Sequence, residues 1–323
     1  MLTSKINRDI IKRKTMKDKI PLYLHCKLVE KLSVKMLSKN SLNEGIDLSY
    51  ASDGVEVAFN PKHQNGINAK IEDNPTRFDL SVPKIKIQDG IIPVYSILQR
   101  TPLKVAVGSS DGNPLVYAFK NENGYSFKSE YDKKTIQDCI DAILKKFVSN
   151  YFSAIDGDIA TIVCPSENSL NHIFAYAFRK SAESIGKTIH IQEDCLVKYP
   201  IDDIRHDIVD NATSELNKWL MNLPKDVAMK KRNVLDKALD KMDNEHNGVF
   251  AYHFIKDVDV RKHISQTMKL SDHSRNIDGE NIIVIDDTMS QGKTLSEACQ
   301  LLCGSYLPKS IVALTLFSPL KSK

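Results

Sequence analysis

Two adjacent carboxylates, Asp286 and Asp287, stand where an apolar run gives way to a short polar turn. The run, residues 282–285, reads Ile-Ile-Val-Ile and suits a strand buried on both faces of a parallel sheet. Residues 288–293 then form the turn, and helical spacing runs from Thr294 to Cys303. Such a loop delivers backbone N–H groups and hydroxyls to a helix N-terminus, where unpaired donors and the helix dipole favour an anion. Ser290, Gly292 and Thr294 fit a phosphate cradle, with Gly292 letting the backbone come close. Carboxylates repel phosphate, so Asp286 and Asp287 must face another group, and sugar hydroxyls or a hydrated Mg²⁺ would suit them. The segment therefore asks for a ligand with a phosphate at one end and a diol beside it.

Two other readings compete for the same residues. Gly292-Lys293-Thr294 looks like the end of a nucleotide-binding P-loop, but that motif needs a glycine where Asp287 stands. The plainer alternative is a buried strand followed by an Asp-rich turn and a Thr-capped helix, which leaves the whole ordered string unexplained.

The string resembles the PRPP-binding motif of the type I phosphoribosyltransferases: a hydrophobic strand, an acidic pair, then a Thr/Ser-x-Gly-x-Thr loop. It departs from the family pattern at Gln291 and Lys293, where small residues are commoner. The resemblance implies that Thr288, Ser290, Gln291, Gly292, Lys293 and Thr294 hold the 5-phosphate, while Asp286 and Asp287 hold the ribose hydroxyls. It implies no direct protein ligands for a metal: Mg²⁺ would arrive on PRPP and lie near Asp286 and Asp287. A second loop, Cys164-Pro165-Ser166-Glu167-Asn168-Ser169, follows an earlier apolar strand. In the family such a loop meets the pyrophosphate, here through Ser166, Asn168 and Ser169; the alternative is a simple Ser/Asn helix cap.

A basic segment from Arg261, Lys262 and His263 to Arg275 precedes the acidic strand. It resembles the Ser-Gln…Arg-Asn segment of ComF-type phosphoribosyltransferase-like proteins, which are associated with bacterial DNA uptake. Their Ala-Leu-Lys motif has an echo in Ala118-Phe119-Lys120. A mobile basic loop would offset the charge of departing pyrophosphate, with Arg261 and Lys262 the leading catalytic candidates. The implied activity is Mg²⁺-dependent transfer of ribose 5-phosphate from PRPP to a nitrogen nucleophile, a nucleobase being favoured. The alternative is a non-catalytic PRPP- or nucleotide-binding regulator, or a ComF-like accessory protein. Homodimers are common in the resembled family.

The elements that must position these residues belong to the α/β class: a parallel sheet flanked by helices, with an N-terminal α+β region. From about residue 112 to 323, strand-like runs alternate with helical patterns. Strands are expected at 159–163, 188–192, 248–255, 282–285 and 310–317, with helices at 136–148 and 170–185. Residues 199–247 read as a helical insertion, split at Leu223-Pro224 into helices at 204–221 and 226–242, either a lid or a packing hairpin. Residues 1–111 differ. A helix at 22–37 and β-rich segments at 54–59, 78–87, 91–97 and 103–107 are expected, with Pro75, Pro83, Pro93 and Pro102 demoting several to edges or loops.

Bulk properties set outer limits. The chain has 323 residues, 27% charged and 41% hydrophobic, with net charge +4. That charge is too mild to indicate nucleic-acid binding by itself but is compatible with a polyanionic small substrate. The basic run Lys12-Arg13-Lys14 lies in a solvated arm where only a weak nucleic-acid contact is conceivable. No apolar stretch is long enough for a membrane span, and the first twenty residues lack the apolar core of a secretory signal. The six cysteines form no C-x-x-C pair, which suits a reducing cytoplasm.

Overall fold

The computed structural model describes residues 46–51, 54–59, 84–87, 90–99, 114–122, 124–153, 155–166, 168–245, 247–289 and 292–318. The helix expected at 22–37, the strand at 103–107 and the first part of 78–87 lie outside them. So do Glu167, Ser290 and Gln291. The chain divides into two compact units: Met1–Glu193 with Asn276–Lys323, and Asp194–Arg275.

The first unit is built on a six-stranded sheet of β3 (Lys84–Ile87), β4 (Gly90–Gln99), β6 (Ile159–Val163), β7 (Ile189–Gln192), β10 (Asn281–Thr288) and β11 (Ser310–Ser318). Their spatial order is β3-β4-β11-β10-β6-β7. All neighbours are parallel except the β3–β4 hairpin at one edge. β10 lies between β11 and β6, and positions 281–287 are all buried, as four apolar β-formers in a doubly covered strand require.

The period of two sorts its side chains between the faces. Ile283 and Ile285 join the core formed with helices α2 (Glu130–Tyr151) and α3 (Leu170–Glu183). α8 (Lys293–Ser305) packs on β10 and β11 and buries Leu295, Ala298, Cys299 and Leu302. Burial within this helix pushes the Cys303 thiol up to about 11, and Cys299 is raised well above its ordinary value. Cys299 is fully buried in the packing of this helix, and Cys303 is half-buried.

A small sheet, β1 (Ile46–Ala51), β2 (Gly54–Phe59) and β5 (Tyr125–Phe127), adds Val55, Val57 and Tyr125 to the same core. Helix α1 (Pro114–Lys120) packs on it through ring pairs, Tyr117 with Tyr125 and Phe119 with Phe127. The boundary expected at 111/112 does not separate the sheets. β4, from the N-terminal side, pairs with β11 in register from Val94↔Ala313 onward. Nor does Pro93 make β4 an edge. The proline sits opposite Lys84 of β3, one position before the β11 ladder begins, so its missing N–H removes no bond from that ladder.

The second unit has its own core, including Ile204, Leu216, Leu235, Leu239, Met242 and Phe250. The helix expected at 204–221 is broken. α4 (Ile201–Ile204) runs into a π-helical segment, Arg205–Asp210, and the chain restarts as α5 (Glu215–Met221). Local side chains explain the break. Asn211 Oδ1 accepts from the Thr213 N–H at 2.9 Å, Ser214 caps α5, and the Asn217 amide donates to the Val209 and Asn211 carbonyls. α6 (Lys225–Glu245) follows Pro224, near the expected start. The strand expected at 248–255 does not form. Val249 makes one bridge to Pro200, and Tyr252–Phe254 then turns as a 3₁₀ helix while Phe250 and Ile255 enter the helical core. The unit is completed by α7 (Val258–Lys262) and by β8 (Leu196–Lys198), antiparallel to β9 (Met268–Leu270).

Candidate functional site at the carboxyl edge of the parallel sheet

In chain order, the strand after β6 is β7 on one side, and the next strand of the sheet, β10, lies on the other. The order β7-β6-β10-β11 thus has its topological switch point between β6 and β10. In open α/β sheets ligands bind there, beyond the carboxyl ends of the strands. The acidic pair and the 164–169 loop meet at that point. Asp286 and Asp287 stand just before the last residue of β10, and the Cys164 N–H bonds the Ile285 carbonyl at 2.8 Å, extending the β6–β10 ladder to the loop.

The two carboxylates have different neighbours. Asp286 is 9% exposed and accepts at Oδ1 from the Asp287 N–H at 3.1 Å and from Asn171 Nδ2 at 3.3 Å. Asn171, fully buried in the first turn of α3, also donates to the Cys164 carbonyl at 2.9 Å. One amide therefore ties the end of β6 to the acidic pair. Asp287, 5% exposed, forms an ion pair at 2.6 Å with Lys120 Nζ at the end of α1. Burial disfavours the Lys120 ammonium, but the facing Asp287 charge, with Glu122 and Asp286 adding, holds its pKa above the ordinary lysine value.

Among the described residues, buried Asn171 Oδ1 and Thr288 Oγ1 find no hydrogen-bond partner, whereas Asp287 Oδ2 is met by the Lys120 ammonium. Such orphans are rare in folded proteins and often mark a place where a ligand or ordered water sits.

Beyond Thr288, Gly292 precedes α8 with φ 73° and ψ 12°, the left-handed region that a side chain resists. Its carbonyl accepts the Ser296 N–H at 2.8 Å, so the helix begins immediately after it, with Lys293 and Thr294 in the first turn. The N–H groups of that first turn have no partners within the helix.

In the loop after β6, Asn168 Oδ1 accepts the Leu170 N–H at 3.0 Å, which is the helix-capping role. Ser166 is half-buried and Ser169 exposed, with no capping bond from the Ser169 hydroxyl.

The basic segment lies in the other unit. Arg261 donates through Nε and Nη2 to the Ile255 carbonyl, with Nε at 3.0 Å. Exposed Lys262 faces Asp259 at 3.4 Å, and His263 stacks on Trp219 with centroids 4.4 Å apart. Arg275 lies near Cys195, whose thiol burial raises to about 11.

Asn171 and Lys120 were not among the expected site residues. Lys120 is the last residue of the Ala118-Phe119-Lys120 echo, a signal that marked its place without naming its partner. Asn171 reads in sequence only as the second residue of a helix.

The fold and site together define an open α/β protein with an acidic pair at the switch point of a mostly parallel sheet. No family model matches the chain, and no curated protein is significantly similar to it.

Proposed function

We propose that the chain is a phosphoribosyltransferase that moves ribose 5-phosphate from PRPP to a nitrogen nucleophile, a nucleobase, with release of pyrophosphate. One observation carries this reading: Asp286-Asp287 and the glycine-led N-terminus of α8 share one strand-to-helix connection at the switch point. The 5-phosphate would accept from the first-turn N–H groups of α8, with Thr294 and Lys293 beside it. Asp286, held by Asn171, would accept the ribose hydroxyls together with Asp287, and their negative charge would favour the cationic ribose of the transition state. Phosphate binding at a distance would orient the reacting carbon. Ser166, Asn168 and Ser169 would face the pyrophosphate.

Among the described residues no three His, Cys, Asp or Glu side chains converge as a metal site, and Asp287 already faces an ammonium. In this reading Mg²⁺ would enter on PRPP and lie near Asp286 and Asp287, where it would offset the charge of the leaving pyrophosphate. Arg261 and Lys262 enter the reading as cations for that pyrophosphate, and Arg261 would have to release the Ile255 carbonyl to serve. That engagement favours a second reading, a PRPP-binding regulator or ComF-like accessory protein with no turnover. No helix among the described residues is long and apolar enough to cross a membrane.

The deciding experiment is calorimetric titration with PRPP and Mg²⁺, followed by a pyrophosphate-release screen across nucleobases. Binding with release for one base is the expected result, and Asp286→Asn should abolish that release while preserving the circular dichroism of the fold. Binding without release selects the regulator. Absence of binding, or undiminished release by Asp286→Asn, sinks the phosphoribosyl reading.

A further inference from the structure

Lys120 is a largely buried cation fixed in place by its surroundings. Leu115, Val116 and Ala118 anchor α1 in the core, and the rings of Tyr117 and Phe119 pack against Tyr125 and Phe127 of β5. The helix then stops in a Schellman turn: Asn121 is left-handed at φ 54°, its N–H bonds the Ala118 carbonyl, and the Glu122 N–H bonds the Tyr117 carbonyl at 3.0 Å. That turn leaves Lys120 as the last helical residue, with a side chain only 15% exposed and Nζ 2.6 Å from Asp287. The charged groups around it are Asp287, Glu122 and Asp286, all acidic.

A buried ion pair is a poor device for stability, because desolvation offsets most of the attraction. It is a good device for recognition. An ammonium has three donors and a carboxylate about four acceptor positions. One contact between them leaves donors and acceptors over, side by side. The pair is thus complementary to a hydroxyl with an anionic group carried on the neighbouring carbon.

In PRPP that pattern occurs at the 2-hydroxyl and the 1-pyrophosphate. The 5-phosphate is already matched to the N-terminus of α8. We propose that Lys120 and Asp287 act as one dyad, with Lys120 contacting the 1-pyrophosphate while Asp287 takes the adjacent hydroxyl. Lys120 then sets the preference for a sugar pyrophosphate over a sugar bearing only the 5-phosphate. The assignment rests on the phosphoribosyl reading of β10 and adds to it a residue from a different part of the chain.

The test is calorimetric titration of the full chain with PRPP and with ribose 5-phosphate, each with Mg²⁺, for wild type, Lys120→Arg and Lys120→Gln. Lys120→Gln should weaken PRPP binding by about tenfold or more and change ribose 5-phosphate binding by less than about twofold. Lys120→Arg, which keeps the charge, should retain most of the preference. Should Lys120→Gln fail to fold with Asp287 left unpaired, the neutral double variant Lys120→Gln/Asp287→Asn should fold and show no preference between the ligands. Equal weakening for both ligands, or no weakening, would overturn the dyad while leaving the phosphoribosyl reading standing. A wild-type protein that binds neither ligand overturns both.

Discussion

Adjacent carboxylates on a strand point to opposite faces, so Asp286 and Asp287 meet different partners although they are neighbours in sequence. Asp286 is set by hydrogen bonds and Asp287 by a charge. The fixed point for Asp286 is the Asn171 amide, which joins α3, the end of β6 and β10 in one contact set. Asn171→Ala should remove one buried hydrogen bond from the Cys164 carbonyl and one from Asp286 Oδ1. The expected cost is about 1–3 kcal/mol in urea-denaturation stability. A structural role alone would end there. If Asn171 positions Asp286, PRPP binding measured well below the melting temperature should also weaken, by about tenfold. Unchanged binding in a destabilised but folded variant would reduce Asn171 to a packing residue.

At the level of elements, the glycine before α8 separates helix geometry from ligand chemistry. Gly292 and Gly186 both adopt left-handed backbone, at φ 73° and 77°, but only Gly292 leads into the candidate phosphate loop. Gly186 has open space where a Cβ would stand, so alanine there meets only the backbone preference. Each Gly→Ala change should therefore cost about 1–2 kcal/mol in stability. Only Gly292→Ala should also weaken binding of PRPP or inorganic phosphate, because it alone turns the first-turn N–H groups of α8. Parallel thermal melts and titrations of the two variants check this, and equal effects on binding would remove the loop from the site.

Elements with a strong local pattern were legible in sequence. Residues 159–163 form β6 with the expected bounds, and β7, β10, β11, α3 and α6 lie within a few residues of expectation. These strands are short apolar runs bounded by turns, and the helices have one apolar face, so local sequence and tertiary demand agree. The misreadings occur where they conflict. Phe250 and Ile255 are good strand formers that were taken into a helical core, and Asn211 and Asn217 interrupt a stretch whose apolar spacing continues. Within the site, the acidic strand was visible because it is contiguous. Lys120 and Asn171 were not, because they reach it from 167 and 115 residues away, and nothing local records such a contact.

At the scale of the whole molecule, one continuous segment, Asp194–Arg275, forms a compact unit between two parts of the other. Its ends lie together: Leu196 pairs with Leu270 across β8–β9, and the Ser271 N–H bonds the Cys195 carbonyl at 2.9 Å. Among the described residues its core is built from this segment's own side chains, from Ile201 to Ile264. Adjacent ends and a private core are what an autonomously folding insertion requires. Expressed alone, residues 194–275 should give a helical protein with a single cooperative urea transition. The complementary chain, with a short Gly/Ser linker replacing 194–275, should retain a cooperative fold because the ladders of β6, β10, β11 and β4 are complete without it. Ligand titration of that shortened chain then assigns the basic segment. Undiminished PRPP binding with lost pyrophosphate release would place the contribution of Arg261 and Lys262 in the chemical step. Retention of both would leave the insertion outside the reaction, and loss of binding with the fold intact would make it part of the ligand site.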